Sequence, residues 1–128
     1  MTKLAAKTYD CTAGCPVEAT LDLIDGKWKA VILYHLLDDT VRFNELRRRL
    51  SRITQRMLTR QLRELESDGL IHRDIYAQVP LRVEYSLTAL GRSLEPVVRM
   101  LWTWGNEYLA ERRSPSHVLN GSAQLAEH

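Results

Sequence analysis

RFNELRRRLSRITQRMLTRQLRELESDGLIHRDIYAQVPLRVEYSL, residues 42–87, changes its hydrophobic period once, near residue 70. Before that point Phe43, Leu46 and Leu50 recur at helical spacing, so Phe43–Leu50 reads as a short helix. Ser51-Arg52-Ile53 is a tight connector, and Thr54 offers a hydroxyl to cap the next helix. That helix runs from Gln55 to about Asp68 with Leu58, Leu62 and Leu65 on one face, and Gly69 ends it. Two short helices joined by a few residues form a helix-turn-helix pattern. From Leu70 to Tyr76 the chain is β-rich, Ala77–Leu81 is a bend containing Pro80, and Arg82–Leu87 alternates polar and apolar residues. Val83, Tyr85 and Leu87 then share one face, and the segment 70–87 reads as a β-hairpin, a wing beside the second helix.

Charge is concentrated on the same segment. Between Arg42 and Arg63 there are eight arginines and one acid, Glu45, a local charge of +7, while the remaining chain carries −5 and the whole only +2. A field focused in this way suits an anionic partner. Every base in the segment is arginine, whose planar fork matches phosphates and guanine edges. With the leucines turned inward, Gln55, Arg56, Thr59, Arg60 and Arg63 form the outward face of the second helix. Arginine can make two hydrogen bonds to guanine, glutamine two to adenine, and a threonine methyl can touch thymine. Arg42, Arg47, Arg48, Arg49, Arg52 and Thr54 lie around the turn, where contacts to phosphates set register without reading sequence. Arg82 stands at the wing, within reach of a minor groove or the backbone. A solvated basic face, or a helical interaction module that binds an acidic protein through its arginines, is the competing reading. A basic wing beside a basic helix favours double-stranded DNA.

Working outward, residues 1–14 are polar and read as a flexible arm. Pro16 opens a helix with Cys15 at its N-cap, and Leu21, Leu23 and Ile24 give it an apolar side before Gly26. A second helix over Lys27–Leu37 carries Trp28, Val31, Ile32, Tyr34, Leu36 and Leu37 as core, and Asp38-Asp39-Thr40 breaks it. On the other side Thr88 caps a long helix from Ala89 to about Arg113. Leu90, Leu94, Val97, Leu101, Trp104 and Tyr108 are spaced 4, 3, 4, 3, 4 along it, a heptad stripe that either packs on the domain's own core or, the favoured reading for so long a helix, drives self-association into a homodimer. Pro96 lies inside the stripe and is expected to kink or divide the helix. Residues 114–128 lack periodicity and read as a disordered tail. The expected organisation is thus an arm (1–14), one domain (15–113) and a tail (114–128). The fold class is α+β, mostly α: a winged helix-turn-helix with a long C-terminal dimerisation helix.

Composition excludes several classes. A chain of 128 residues with 45% hydrophobic and 27% charged residues is an ordinary globular domain. No apolar run approaches the ~18 residues of a membrane span, and Met1–Cys11 has no signal-peptide pattern, so a cytoplasmic location without membrane contact is expected. The four histidines are scattered, with His35 in an apolar helix, His72 in a strand, and His117 and His128 in the tail. The six glycines form no phosphate loop, and one cysteine pair without a second ligand pair is no zinc site. No catalytic residue, metal or cofactor is expected, and the chain does not read as an enzyme. Cys15 has chemistry of its own, because the positive end of a helix dipole favours a thiolate, and Cys11, four residues away, can act as a resolving thiol if the arm folds back; on chemistry alone, one buried inert cysteine and one incidental one is the stronger competing reading.

The strings CPVEATLDLIDGKW (15–28), RFNELRRRL (42–50), TQRMLTRQLRELESDGLIHR (54–73) and VPLRVEYSLTALG (79–91) resemble HxlR-type transcription regulators, a MarR-related family. The resemblance covers about Cys15 to Tyr108. It implies a homodimeric winged helix-turn-helix and, in many members, a thiol at the position matching Cys15. The expectation is a sequence-specific regulator that binds a pseudo-palindromic operator and senses oxidants or electrophiles through Cys15, with Cys11 as partner.

Overall fold

The computed structural model describes residues 14–113 and divides between Ser93 and Leu94 into two compact units. The expected arm (residues 1–13, with Cys11) and the tail from 114 lie outside the described residues. In the first unit α1 (Pro16–Ile24) begins with Pro16 at its first position, where a missing N–H costs nothing. Cys15 is the N-cap, its Sγ accepting the Glu18 N–H at 3.4 Å. The Glu18 carboxylate reaches back to accept the Gly14 N–H, so side chain and backbone satisfy each other as in a capping box. Gly26, at φ +81°, turns the chain into α2 (Lys29–His35). This helix is shorter than expected at both ends. Trp28 gives it no side-chain cap, and at the other end the Leu36 N–H tightens onto Ile32 and Leu33.

The helix-turn-helix follows as α3 (Phe43–Arg49) and α4 (Gln55–Ser67). Thr54 caps α4 by accepting the Met57 N–H at 3.0 Å, and Gly69 closes it at φ +78°. The wing is β2 (Ile71–Tyr76) paired antiparallel with β3 (Arg82–Leu87), in a register that sets Arg73 opposite Tyr85 and Tyr76 opposite Arg82. The Val79–Pro80 peptide in the bend is cis. A strand the sequence did not announce, β1 (Val41–Arg42), pairs with the other edge of β3, giving the order β1-β3-β2. The fold is therefore not purely helical.

Core and termini explain one another. Ile32 and Leu33 from α2, Leu36 at its C-cap, Leu46 from α3, and Leu58, Leu62 and Leu65 from α4 are fully buried with Leu70. Each such side chain contributes roughly 1.5–3 kcal/mol relative to an exposed one. Thr88 joins wing to helix. Its hydroxyl donates to the Gly69 carbonyl at 2.6 Å and accepts the Gly91 N–H at 3.0 Å, starting α5 (Ala89–Arg92).

The long C-terminal helix is divided. After α5 the helix stops at Ser93, and the second unit carries α6 (Glu95–Arg113). Pro96 sits in the first turn of α6, so the proline that interrupts the heptad stripe instead begins a new helix. Of the stripe, Val97, Leu101, Trp104 and Tyr108 are exposed on α6, beside Met100, Trp102 and Leu109, and Leu90 is exposed on α5. Leu94 is half-buried. The Trp104 and Tyr108 rings stack at 5.3 Å. No helix among the described residues is long and apolar enough to cross a membrane.

Candidate nucleic-acid interface

The interface is built by burying one side of α4. With Leu58, Leu62 and Leu65 sealed in the core, the helix cannot rotate without exposing them. Gln55, Arg56, Thr59, Arg60 and Arg63 are thereby fixed on its outward face, where they line one open surface hollow together with Glu64. Four of the five expected residues are exposed and Thr59 is half-buried. Among the described residues Arg52, Arg56 and Arg63 have no carboxylate within ion-pair distance, which leaves their guanidinium groups available to an external anion. Thr54 uses one lone pair of its hydroxyl oxygen on the cap, and its O–H is left to donate.

The other arginines are pre-positioned. Glu45 accepts from both Arg48 and Arg49, the latter through Nε at 2.9 Å, and so holds the last turn of α3. Arg47 Nη1 donates to Gln55 Oε1 at 3.3 Å, tying the end of α3 to the start of α4. At the wing, Arg82 lies over the Tyr76 ring at 4.5 Å and pairs through Nε with Glu84 Oε2 at 3.1 Å; Arg42 approaches the same oxygen at 3.8 Å. Arg42, Arg73 and Arg82 line a second, smaller hollow beside the hairpin bend.

Two residues of the site escaped the sequence reading. Lys29, in the apolar helix α2, is only 6% exposed. Its Nζ pairs with Glu64 Oε1 at 2.9 Å and with Asp25 Oδ1 at 3.6 Å. Glu64 in turn accepts Arg60 Nε on its other oxygen at 3.3 Å. Burial alone would lower the Lys29 pKa, but the hydrogen bond and charge of Glu64, with Asp25 and Asp68, outweigh it and hold the ammonium above its ordinary range. The Lys29 hydrogen bond, followed by that of Arg60, holds the Glu64 carboxyl below its ordinary range. A lysine inside an otherwise apolar run, four residues after an aspartate, is the one signal that could have pointed to this cluster. Tyr85 is buried, and that burial pushes its hydroxyl up.

Cys15 lies apart from this surface in the chain, half-buried at the start of α1, with its sulfur engaged by the Glu18 N–H. Its expected partner Cys11 is outside the described residues. No group of three or more His, Cys, Asp or Glu among the described residues could hold a metal ion.

Residues 23–113 match the HxlR-like helix-turn-helix family. The chain is 63% identical over 95 residues to the uncharacterized HTH-type transcriptional regulator YdeP of Bacillus subtilis, covering 74% of each chain. It is similar to the redox regulator HypR in its reduced form, at 60% identity and a TM-score of 0.68 over 71% of this chain and 90% of that one. The oxidized form gives 61% identity and a TM-score of 0.69 over 72% and 95%. YodB from B. subtilis in its reduced form is 30% identical, with a TM-score of 0.62 over 73% and 93%. The winged helix-turn-helix and these matches agree: the chain belongs to the HxlR-like helix-turn-helix family of transcriptional regulators.

Proposed function

We propose that the chain binds double-stranded DNA as a homodimer, reads a pseudo-palindromic operator with α4 of each copy, and responds to oxidants or electrophiles through Cys15. The observation that carries the reading is the locked face of α4: three buried leucines behind Gln55, Arg56, Thr59, Arg60 and Arg63. In this arrangement Arg60 and Gln55 contact base edges in the major groove, with Arg56, Thr59 and Arg63 beside them. Arg42, Arg48, Arg52 and Thr54 hold phosphates around the turn, and Arg82 does so at the wing. A second copy covers the exposed apolar side of α6, and Leu90 and Leu94 belong to the proposed interface as well. Two recognition helices related by a two-fold axis match inverted half-sites one helical turn apart.

The thiol part of the reading is supported by Cys15 at the N-cap of α1 and by the likeness to the redox regulator HypR in its reduced and oxidized forms. The Cys15 sulfur adds across the activated double bond of a quinone-like electrophile, breaking its π bond, and the thiol proton passes to the adduct. Alternatively, an oxidant takes two electrons and two protons from Cys15 and a second thiol, Cys11 of the same chain or a cysteine of the other copy, to leave a disulfide. Either product alters the N-terminus of α1 and with it the spacing of the recognition helices.

Substitution tests the DNA reading. Arg60→Ala should weaken binding to a duplex selected from a randomised pool by ~1–3 kcal/mol and relax preference at one base position per half-site. Arg48→Ala should weaken all sequences alike and make the salt dependence shallower. Equal losses on selected and random duplexes for both variants would contradict this division of roles. For the thiol, diamide should change the gel shift of wild type, reversibly with reductant, and leave Cys15→Ser unaffected. Cys11→Ser should still respond to an alkylating agent, and a Cys15→Ser protein that responds like wild type contradicts the sensing role.

A further inference from the structure

We propose that Glu64 is a positioning residue for sequence reading: anchored from the core by Lys29, it holds Arg60 by Nε and so presents the two terminal Nη groups of that arginine end-on to a base. The inference rests on the reading above in which Arg60 contacts a base edge. An exposed Arg–Glu pair four residues apart on a helix ordinarily contributes little, because both side chains wander and water screens them. This pair differs in where its carboxylate is held. Glu64 Oε1 lies 2.9 Å from the Nζ of Lys29, whose side chain is 8% exposed in a different helix and is held a second time by Asp25 at 3.6 Å. The loop before Lys29 is itself set against α4, with the Cβ position of Gly26 at 3.9 Å from Gln61 Oε1. Glu64 is thus pinned on one oxygen and offers the other to Arg60 Nε at 3.3 Å, while the Arg60 side chain is 71% exposed.

The chemistry follows from donor geometry. A guanidinium can approach a guanine side-on, through Nε and one Nη, or end-on, through both Nη groups. With Nε given to Glu64 the side-on approach is closed and the end-on fork remains, matched to the guanine O6 and N7 acceptors. The arrangement also resolves an electrostatic conflict. A carboxylate in the hollow that faces DNA would repel phosphates, but the Glu64 charge is offset by Lys29 and Arg60 on its two oxygens, and with Asp25 on Lys29 the ion-paired cluster is neutral. Holding the fork before contact reduces the rotamer entropy that a free arginine loses on binding.

The test compares Glu64→Gln, Lys29→Met and Arg60→Ala in the full chain. Each is titrated by fluorescence anisotropy against the duplex selected from a randomised pool and against duplexes altered at single positions, with melting of each variant recorded beside it. Glu64→Gln is a narrow change: its amide oxygen still accepts from Lys29, but its NH₂ meets the Nε–H of Arg60 donor to donor. We expect Glu64→Gln to lose about tenfold in discrimination at the one position relaxed by Arg60→Ala, and to keep its discrimination elsewhere. Lys29→Met, which leaves the Arg60–Glu64 pair without its anchor, should lose part of the discrimination at that same position. If Arg60→Ala relaxes a position and neither Glu64→Gln nor Lys29→Met does, the positioning role is overturned while the DNA reading stands. If Arg60→Ala relaxes no position, both are overturned. A loss spread evenly over all positions in step with a lower melting temperature shows Glu64 to be structural and also overturns the role. Should Glu64→Gln not fold, Lys29→Met decides on the same criterion.

Discussion

Gly91 has no room for a methyl group. A Cβ built there would stand 2.0 Å from the Leu70 carbonyl oxygen and 3.3 Å from Leu87 Cδ2. Glycine inside a helix ordinarily costs ~1 kcal/mol relative to alanine, so Gly→Ala is often stabilising. Here the sign reverses, because the obstacle is backbone. Gly91→Ala should destabilise the fold by about 1–3 kcal/mol in urea denaturation, and a stabilised variant would show that α5 can shift away from β2. His35 carries a pH prediction. Burial first, and then the charge of Arg49, lower its pKa below the ordinary value of 6.5. Between the folded value and 6.5 the unfolded chain binds a proton that the folded chain does not. The contribution of neutral His35 is therefore fully present above pH 6.5 and is lost as pH falls through the folded pKa. His35→Gln should flatten the fall in melting temperature below pH 6.5, and an unchanged slope would assign that fall to other groups. At this scale the sequence was partly legible. The N-caps at Cys15, Thr54 and Thr88 follow from local chemistry, since donor and acceptor lie three residues apart. Lys29 with Glu64 did not, because the partners are brought together only when α2 packs on α4.

At the scale of elements, periodicity carried the helix-turn-helix and the wing. Leu58, Leu62 and Leu65 mark α4, and the change to alternation marks β3 within a residue of its observed ends. What periodicity could not show is β1. Two residues have no period, and Val41–Arg42 is a strand only because the free edge of β3 supplies its hydrogen bonds. The helix expected over Ala89–Arg113 followed its heptad stripe, which runs through the break at Ser93; Pro96 decided where the second helix starts. The two threonine caps separate local from shared roles. Thr54→Ala removes one exposed bond to Met57 and should cost ~1 kcal/mol. Thr88→Ala removes a cap and also the bond to Gly69 that ties the wing to α5, and should cost about 2 kcal/mol. Equal values in urea denaturation would mean that the Thr88–Gly69 bond contributes nothing.

At the scale of the whole molecule, the apolar side of α6 is the largest feature that a single copy leaves unexplained. Trp104 is 65% exposed there, with Val97, Leu101 and Tyr108 along the same helix. If a second copy covers this face, Trp104→Glu places an unpaired charge in the interface, and light scattering should report a monomer. A full dimer in that variant would place the contact elsewhere, with Val17 and Leu21 exposed on α1 as the alternative surface. In the proposed dimer, DNA would meet two copies of α4 at a fixed spacing. Hydroxyl-radical footprinting of the wild-type chain, on a duplex selected from a randomised pool, reads that spacing directly. Two protected patches are expected on one face of the duplex, centred about 10 base pairs or ~34 Å apart over inverted half-sites, with two chains bound per duplex. A single patch occupied by one chain, or protection with no fixed spacing, would contradict the proposed dimer.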